Sequence, residues 1–487
     1  MKTSKHVKPQ IKFGTDGWRG VIADNFTFGN VRIVAQAIAD YVRGAVGRQR
    51  PKVALGYDTR FLSDKFARAI AEVLAANDIR VLFSSSFCST PMLSLATRDE
   101  GCCLGVMITA SHNPPQFNGV KIKNARGGSA DISITRKVEG LLARRAARVL
   151  PWDEAVKHRR VVVTDLRRGY VRFLRNYLDM RLLRRARFNI LQDVMFGSGN
   201  GLLKDVLART SIKAEFLHNE INPAFGGRRP EPLAENLSEL ISQMRGERFD
   251  LGLVLDGDAD RIAAVAPGGR FIHPQQILAL ILLHLKEDRG WDGALVKTIA
   301  GTTMLDKIAA KLDIEVRETP IGFKHISRFM ERDNILAGGE EAGGIGVKNY
   351  IPERDGLLVG LLLAEMCLFR KKGINRILGE LEREFGRYYY VRDAIGLNKI
   401  TFDKDKMLRR LPAKLLGRDV CDVKTYDGIK IICSDGDWLM LRGSGTEPIV
   451  RVYAEAKSLA KAQGLVSLGR RMITGCSLKP ETCYVHT

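Results

Sequence analysis

Three acidic residues at alternate positions, Asp256, Asp258 and Asp260, end an apolar run in FDLGLVLDGDADR (249–261). In an extended segment alternate side chains face the same way, so these carboxylates are expected to converge. Carboxylates that close repel one another unless a cation neutralises them, and hard oxygen ligands favour Mg²⁺, one ion per chain. The Gly and Glu of the later EF-hand positions are missing, which argues against that Ca²⁺ loop. A solvated acidic turn is the competing reading. An all-carboxylate Mg²⁺ site keeps open positions that phosphate oxygens commonly fill. Ser111 is the second candidate, in GVMITASHNPPQFNGVKIK (105–123). A Ser/His hydrolase would need a G-x-S-x-G elbow, which this stretch lacks. A phosphoryl carrier needs a metal, cations and exclusion of water. Ser111 is expected on a rigid, exposed turn ahead of Pro114 and Pro115, with a capping role as the alternative.

Two further motifs complete such a chemistry. In RGSGTEPIVR (442–451), Gly443 and Gly445 let backbone N–H groups approach an anion. Ser444 and Thr446 add hydroxyls there, and Arg442 and Arg451 add charge, so a phosphate cradle is favoured over an ordinary hairpin turn. In GGEEAGG (338–344), Glu340 and Glu341 suit hydrogen bonds to sugar hydroxyls, with a surface turn as the alternative. The Gly-x-Gly of FGSGNG (196–201) is incomplete as a dinucleotide site and reads as a tight strand-to-helix turn.

The elements that must position these residues alternate between strand and helix periods. A strand in KVALGYDTR (52–60), a helix over 63–78 with Ser63 as N-cap, and a strand over 79–85 make one βαβ unit. Leu104–Ile108 adds a strand leading to Ser111. Strand and helix signals recur over 188–208, 249–285 and 293–312, with a further strand over 334–339 running into Glu340. From about 391 the strands shorten, and a helix follows over 458–473. The expectation is three α/β units and a smaller α+β tail.

At 487 residues the chain is long enough for several domains, and 45% hydrophobic with 27% charged residues suits a globular enzyme. No run of about 18 uncharged apolar residues is present, so no membrane association is expected. The opening residues lack the apolar core of a signal peptide, and a cytoplasmic location is expected. Eight cysteines without C-x-x-C or zinc spacing fit buried thiols. The 77 basic and 55 acidic residues give a net charge of +22, which favours anionic partners. The arginine clusters of the basic, helix-rich passage over 140–190 alternate with Leu, Val and Tyr. They therefore read as solvated faces of amphipathic helices, and nucleic acid is disfavoured as a partner.

The motifs together carry a resemblance. In FGTDGWRG (13–20), TASHNPPQFNGVKIK (109–123), DGDADR (256–261), GGEEAGG (338–344) and RGSGTEP (442–448), in that order, the chain resembles the α-D-phosphohexomutase superfamily over nearly its whole length. The resemblance implies three similar mixed α/β domains and a smaller α+β C-terminal domain around a central cleft. Their expected spans are 1–155, 156–270, 271–390 and 391–487. It implies that Ser111 is a phosphoserine that, with Asp256, Asp258 and Asp260, binds Mg²⁺. Lys121 matches the general acid/base, assisted by Arg19 and His112. Arg261 and Lys297 are expected to bridge to sugar or phosphate. Gly322 and Phe323 in TPIGFKHI (319–326) resemble a second sugar-contact loop beside Glu340 and Ala342.

The implied reaction interconverts hexose 1-phosphate and hexose 6-phosphate, with hexose 1,6-bisphosphate as intermediate and activator, in a monomer or homodimer. Phosphomannomutase-type members usually carry Ser where Ala342 stands and His where Gly344 stands. Phosphoglucosamine mutases generally carry Gln in place of Glu341. Phosphoglucomutase with possible mannose phosphate turnover is therefore the first expectation, and phosphoglucosamine mutase the alternative. A metal-dependent phosphatase, or a basic anion-binding protein on a mutase scaffold, are the competing classes.

Overall fold

Three times along the chain a fully buried apolar strand runs into a site motif, and the chain returns antiparallel. Leu104–Ile108 leads through Ser111 to Phe117–Asn124, Leu251–Leu255 through the three aspartates to Ile262–Ala266, and Ile335–Gly339 through Glu340 to Ile345–Val347. The computed structural model describes residues 11–14, 16–45, 50–246, 248–396, 402–443 and 449–474.

The first sheet has six strands in the order Trp18–Val21, Phe117–Asn124, Leu104–Ile108, Lys52–Tyr57, Arg80–Ser84 and Val161–Thr164. The second has five and the third four, and each combines parallel strands with an antiparallel return. Leu104–Ile108, Leu251–Leu255 and Ile335–Gly339 are apolar throughout because both faces are covered, so they lack the alternation of a half-exposed strand. The fourth sheet is antiparallel, runs from Tyr389–Gly396 to Lys414–Leu415, and packs under the helix Leu459–Thr474. This is a four-domain architecture of three mixed α/β units and an α+β C-terminal unit.

One apolar core passes through the first three units, joining Met92 and Met107 to Leu251 and Leu255 and on to Leu278 and Leu358. The C-terminal unit has its own core. It meets the third unit where Trp438, Met440 and Tyr453 pack on Ile299, Ala300 and Ile321.

Several sequence expectations change in detail. Strand Val161–Thr164 lies inside the passage expected to be helix-rich and pairs with Arg80–Ser84, so the first sheet extends past 155. Arg270–Ile272 pairs within the second sheet across the joint placed at 270, and Tyr389–Gly396 spans the joint at 390. All three are edge strands, whose partly exposed residues give a weak apolar signal. Ser63 is the first residue of helix Ser63–Ala76 rather than its cap, and its hydroxyl donates to Asp58 Oδ1 at 2.7 Å. The cap is Leu62. Cys88, Cys102, Cys103, Cys367 and Cys433 are buried thiols outside any disulfide, whereas Cys421 is exposed on the bulged strand Arg418–Lys424. Cys476 and Cys483 lie outside the described residues. Helix Arg167–Tyr177 buries Tyr170 and Leu174 and exposes Arg168 and Arg172, as amphipathic spacing requires. Among the described residues no helix is long and apolar enough to cross a membrane.

Candidate active site

Ser111 lies in a loop held from below by one buried arginine. Arg60 Nη1 donates to the carbonyls of Pro114 (2.9 Å) and Phe117 (3.0 Å), and Nη2 to those of Ser111 (2.6 Å) and Asn113 (2.7 Å). Asp58, 3.2 Å from Nε, balances its charge. Ser111 is completely buried rather than exposed, and adopts φ +52°. A non-glycine residue there costs on the order of 1–3 kcal/mol, which the Arg60 bonds hold in place. The burial arises because the aspartate loop of the second unit closes over it. A Cβ built on Gly257 would fall 2.6 Å from the Ser111 carbonyl oxygen, so only glycine permits the approach. Ser111 Oγ donates to Asp256 Oδ2 at 2.9 Å and lies 3.3 Å from His112 Nδ1.

The three aspartates converge as expected, with one oxygen from each within 4.8 Å of the others, and all are buried. The geometry that achieves this is a turn, not an extended segment. Ala259 takes φ +58°, and the Asp260 and Arg261 amides donate to Asp256 Oδ1 at 3.0 and 3.1 Å. Burial, followed by repulsion from Asp258 and Asp260, pushes the Asp256 carboxyl well above the usual range. Lys121 Nζ reaches Asp258 Oδ2 (2.7 Å), Asp260 Oδ2 (2.8 Å) and Asp16 Oδ2 (2.9 Å). Burial alone would lower the Lys121 pKa and raise that of Asp258. The mutual attraction outweighs it on both sides, so the lysine is held protonated and the aspartate ionised. Thr90 Oγ1 donates to Asp258 Oδ2 at 2.5 Å. Asp258 Oδ1 and Asp260 Oδ1 are buried without a hydrogen-bond partner. Two unpaired carboxylate oxygens beside a third carboxylate and a serine hydroxyl form the hard-oxygen donor set that fits Mg²⁺.

His112 and Arg19 flank the serine. Burial, then the charges of Arg261, Arg19, Arg392 and Lys121, drive the His112 pKa well down and keep the imidazole neutral. Arg19 donates from Nη1 to Asn113 Oδ1 of the serine loop. Arg261 stands beside the acidic loop, where burial works against its charge and Asp256 sustains it. Its backbone bridges to Gly344, which ties the second unit's loop to the third's.

The third loop divides its two glutamates. Glu340 Oε2 accepts from Arg354 Nη1 at 2.9 Å, while Glu341 Oε2 accepts from Thr298 Oγ1 at 2.9 Å. Ala342 is partly exposed and lines a cavity of about 50 Å³ with Glu231, His273, Tyr390 and Arg392. Phe323 packs in the interior of the third unit. Its ring is 2% exposed, packs on Val296 and Ile326, and carries the Arg354 guanidinium at 5.5 Å. Gly322 precedes it as the cap of helix Phe323–Arg332. Lys297 is buried and commits its ammonium to Asp306 and the Thr302 carbonyl, so the charge expected to bridge to sugar or phosphate is already paired. In the C-terminal unit Arg442 and Arg451 face each other across adjacent strands, and Arg442 Nε pairs with Asp427 at 2.8 Å. Ser444, Gly445 and Thr446 lie outside the described residues.

Sequence reasoning missed Asp16, Arg60, Thr90 and Arg354. Arg60 follows a strand in Tyr57-Asp58-Thr59-Arg60, where a charged pair at a strand end was a usable signal. Arg354 sits in Glu353-Arg354-Asp355 ahead of the apolar helix Gly356–Arg370, and it reaches Asp16, Asp260 (2.8 Å) and Glu340. Nothing in its spacing announced three partners.

The comparisons agree along the chain. Residues 10–148, 168–269 and 273–385 match the phosphoglucomutase/phosphomannomutase alpha/beta/alpha domains I, II and III, and 402–467 match the C-terminal domain of the same family. A phosphoglucomutase/phosphomannomutase of Thermococcus kodakarensis is 30% identical over 461 residues, covering 95% of this chain and 98% of that one. A Methanothermobacter thermautotrophicus protein provisionally named phosphoglucosamine mutase is also 30% identical, covering 94% and 96%. The solved structure of a candidate phosphomannomutase from Thermus thermophilus superimposes with a TM-score of 0.84 at 34% identity, covering 95% and 99%.

Proposed function

Because the chain belongs to the phosphoglucomutase/phosphomannomutase family of phosphohexomutases, which are intramolecular phosphotransferases, we propose that it interconverts hexose 1-phosphate and hexose 6-phosphate through a phosphoserine at Ser111. Glucose phosphates are the first substrates of this reading, with mannose phosphates also accepted. The observation that carries it is the buried Ser111 hydroxyl, 2.9 Å from Asp256 within the three-aspartate cluster.

Ser111, Asp256, Asp258 and Asp260 would hold Mg²⁺, which supplies positive charge to offset that developing on the transferring phosphoryl group. The remaining work falls to the chain. Phosphoryl transfer from Ser111 to a sugar hydroxyl breaks the serine O–P bond and forms the sugar O–P bond. The sugar hydroxyl loses a proton and Ser111 Oγ gains one. Lys121 and His112 are the groups for that exchange, one held protonated and the other neutral beside Oγ. Arg60 fixes the serine loop, Arg19 its Asn113, and Glu340 faces the sugar. Arg442 and Arg451, with Ser444, Gly445 and Thr446, receive the far phosphate. The bisphosphate reorients and returns its other phosphoryl group to Ser111. Exclusion of water by the burial of Ser111 protects the phosphoserine from hydrolysis.

Phosphoglucosamine mutase is the second reading. The Glu341 carboxylate that argued against it already accepts a hydrogen bond from Thr298, although the residue also lines the cavity beside Ala342, so its identity alone is a poor guide to the sugar. Coupled assays on glucose, mannose and glucosamine 1-phosphates rank the three. Ser111→Ala is expected to lower isomerisation by at least about a thousandfold with the fold retained, and to abolish labelling of the protein by phosphate from substrate. Substantial residual turnover in that variant would refute the carrier role.

A further inference from the structure

Arg354 occupies space that Gly344 leaves open. A Cβ built on Gly344 would lie 2.6 Å from Arg354 Cδ and 2.9 Å from Glu340 Oε2, so a side chain there would displace the arginine. Arg354 is 3% exposed and stacks on the buried Phe323 ring. Its guanidinium bonds Glu340 of the third unit through Nη1 (2.9 Å), and Asp260 of the second (2.8 Å) and Asp16 of the first through Nη2. A guanidinium is a rigid planar fork, so the separation of its donors fixes the separation of the groups they hold. Asp260 Oδ2 is held independently by Lys121 at 2.8 Å.

We propose that Arg354 is a positioning residue that registers Glu340 of the sugar loop against the acidic cluster, and that position 344 is glycine in order to admit it. This rests on the mutase reading of the site. Lysine at 354 keeps the charge but cannot reach Glu340 and Asp260 with one rigid group. Removing the guanidinium takes a positive charge away from Asp260 while Lys121 still orients it. Loss of Arg354 therefore loosens the sugar without loosening the metal.

The test compares Arg354→Lys, Arg354→Met, Gly344→Ala and the Gly344→Ala/Arg354→Met double variant in the full chain, with folding checked by circular dichroism. Calorimetry measures glucose 6-phosphate and Mn²⁺ affinity, and coupled assays measure kcat and KM. Both Arg354 variants are expected to weaken glucose 6-phosphate binding about tenfold, with kcat/KM falling further and Mn²⁺ affinity unchanged or tighter. Gly344→Ala should show the same pattern, and the double variant should fall clearly short of the product of the two single effects, because the added methyl acts mainly by displacing the arginine, its nearest neighbour at 2.6 Å, and less by its 2.9 Å approach to Glu340. Multiplying effects, an Arg354→Lys enzyme with unaltered sugar affinity, or Mn²⁺ affinity falling in step with sugar affinity would each overturn the proposal. Binding without isomerisation by the unmodified chain would sink the mutase reading alone, since the calorimetric comparison still decides the role of Arg354. Absence of binding of glucose, mannose and glucosamine 6-phosphates alike would overturn both.

Discussion

At Asp258 one carboxylate oxygen is engaged and the other is not. Oδ2 takes bonds from Lys121 and Thr90, whereas Oδ1 is buried with no partner. A buried polar atom left unsatisfied costs about 1–3 kcal/mol, a cost that a bound cation would remove. Asp258→Asn is therefore expected to raise the Mg²⁺ concentration for half-maximal activity by at least about tenfold, and to lower activity at saturating metal as well. Titration of activity against Mg²⁺, with Mn²⁺ calorimetry in parallel, checks this. An unaltered metal response would place the metal elsewhere. Ser111 shows the same economy at the residue scale, since a strained backbone and full burial are held by the four carbonyl bonds of Arg60.

Among the elements, helix Gly356–Arg370 carries a titration of its own. Its cap, Asp355, accepts from the Leu358 amide (3.0 Å) and from the hydroxyls of Tyr170 and Tyr350 (2.9 and 2.7 Å). Burial still pushes its carboxyl up to about 6, because those bonds offset only part of the desolvation. With the folded value above the unfolded 3.8, the contribution is fully present below 3.8 and is lost as pH rises through about 6. The loss amounts to about 2–3 kcal/mol. Asn keeps a helix cap without the charge. In denaturant melts, Asp355→Asn should gain about 2–3 kcal/mol on its parent between about pH 4 and pH 7. A constant difference across that range would mean that Asp355 titrates normally.

For the whole molecule, the C-terminal unit is held by contacts with two other units. Besides its apolar contact with the third unit, it reaches the second through Arg392 and Glu231 at 3.3 Å, beside the cavity that Ala342 lines. This pair joins the second unit to the C-terminal unit. Arg392→Ala is expected to raise KM for hexose phosphate several-fold, on the order of three to ten, with a smaller change in kcat, because closure over the substrate is weakened. Steady-state kinetics decides it. A fall in kcat at constant KM would assign Arg392 to the chemistry instead.

The sequence by itself determined the repeating strand-to-loop pattern, the four units and the motif residues Ser111, Asp256, Asp258, Asp260 and Glu340. These signals are local: an apolar run ending in glycine and polar residues is written in consecutive positions. It did not determine that Ser111 is buried, that Glu341 and Lys297 are already bonded to Thr298 and Asp306, or that Phe323 belongs to the core. Nor did it disclose Arg60, Asp16 and Arg354. Arg354 meets Asp16 across 338 positions of chain, and no periodicity records such a meeting. Which way a side chain faces, and which charge neutralises it, depends on the packing of three units against one another, so the tertiary structure alone decided it.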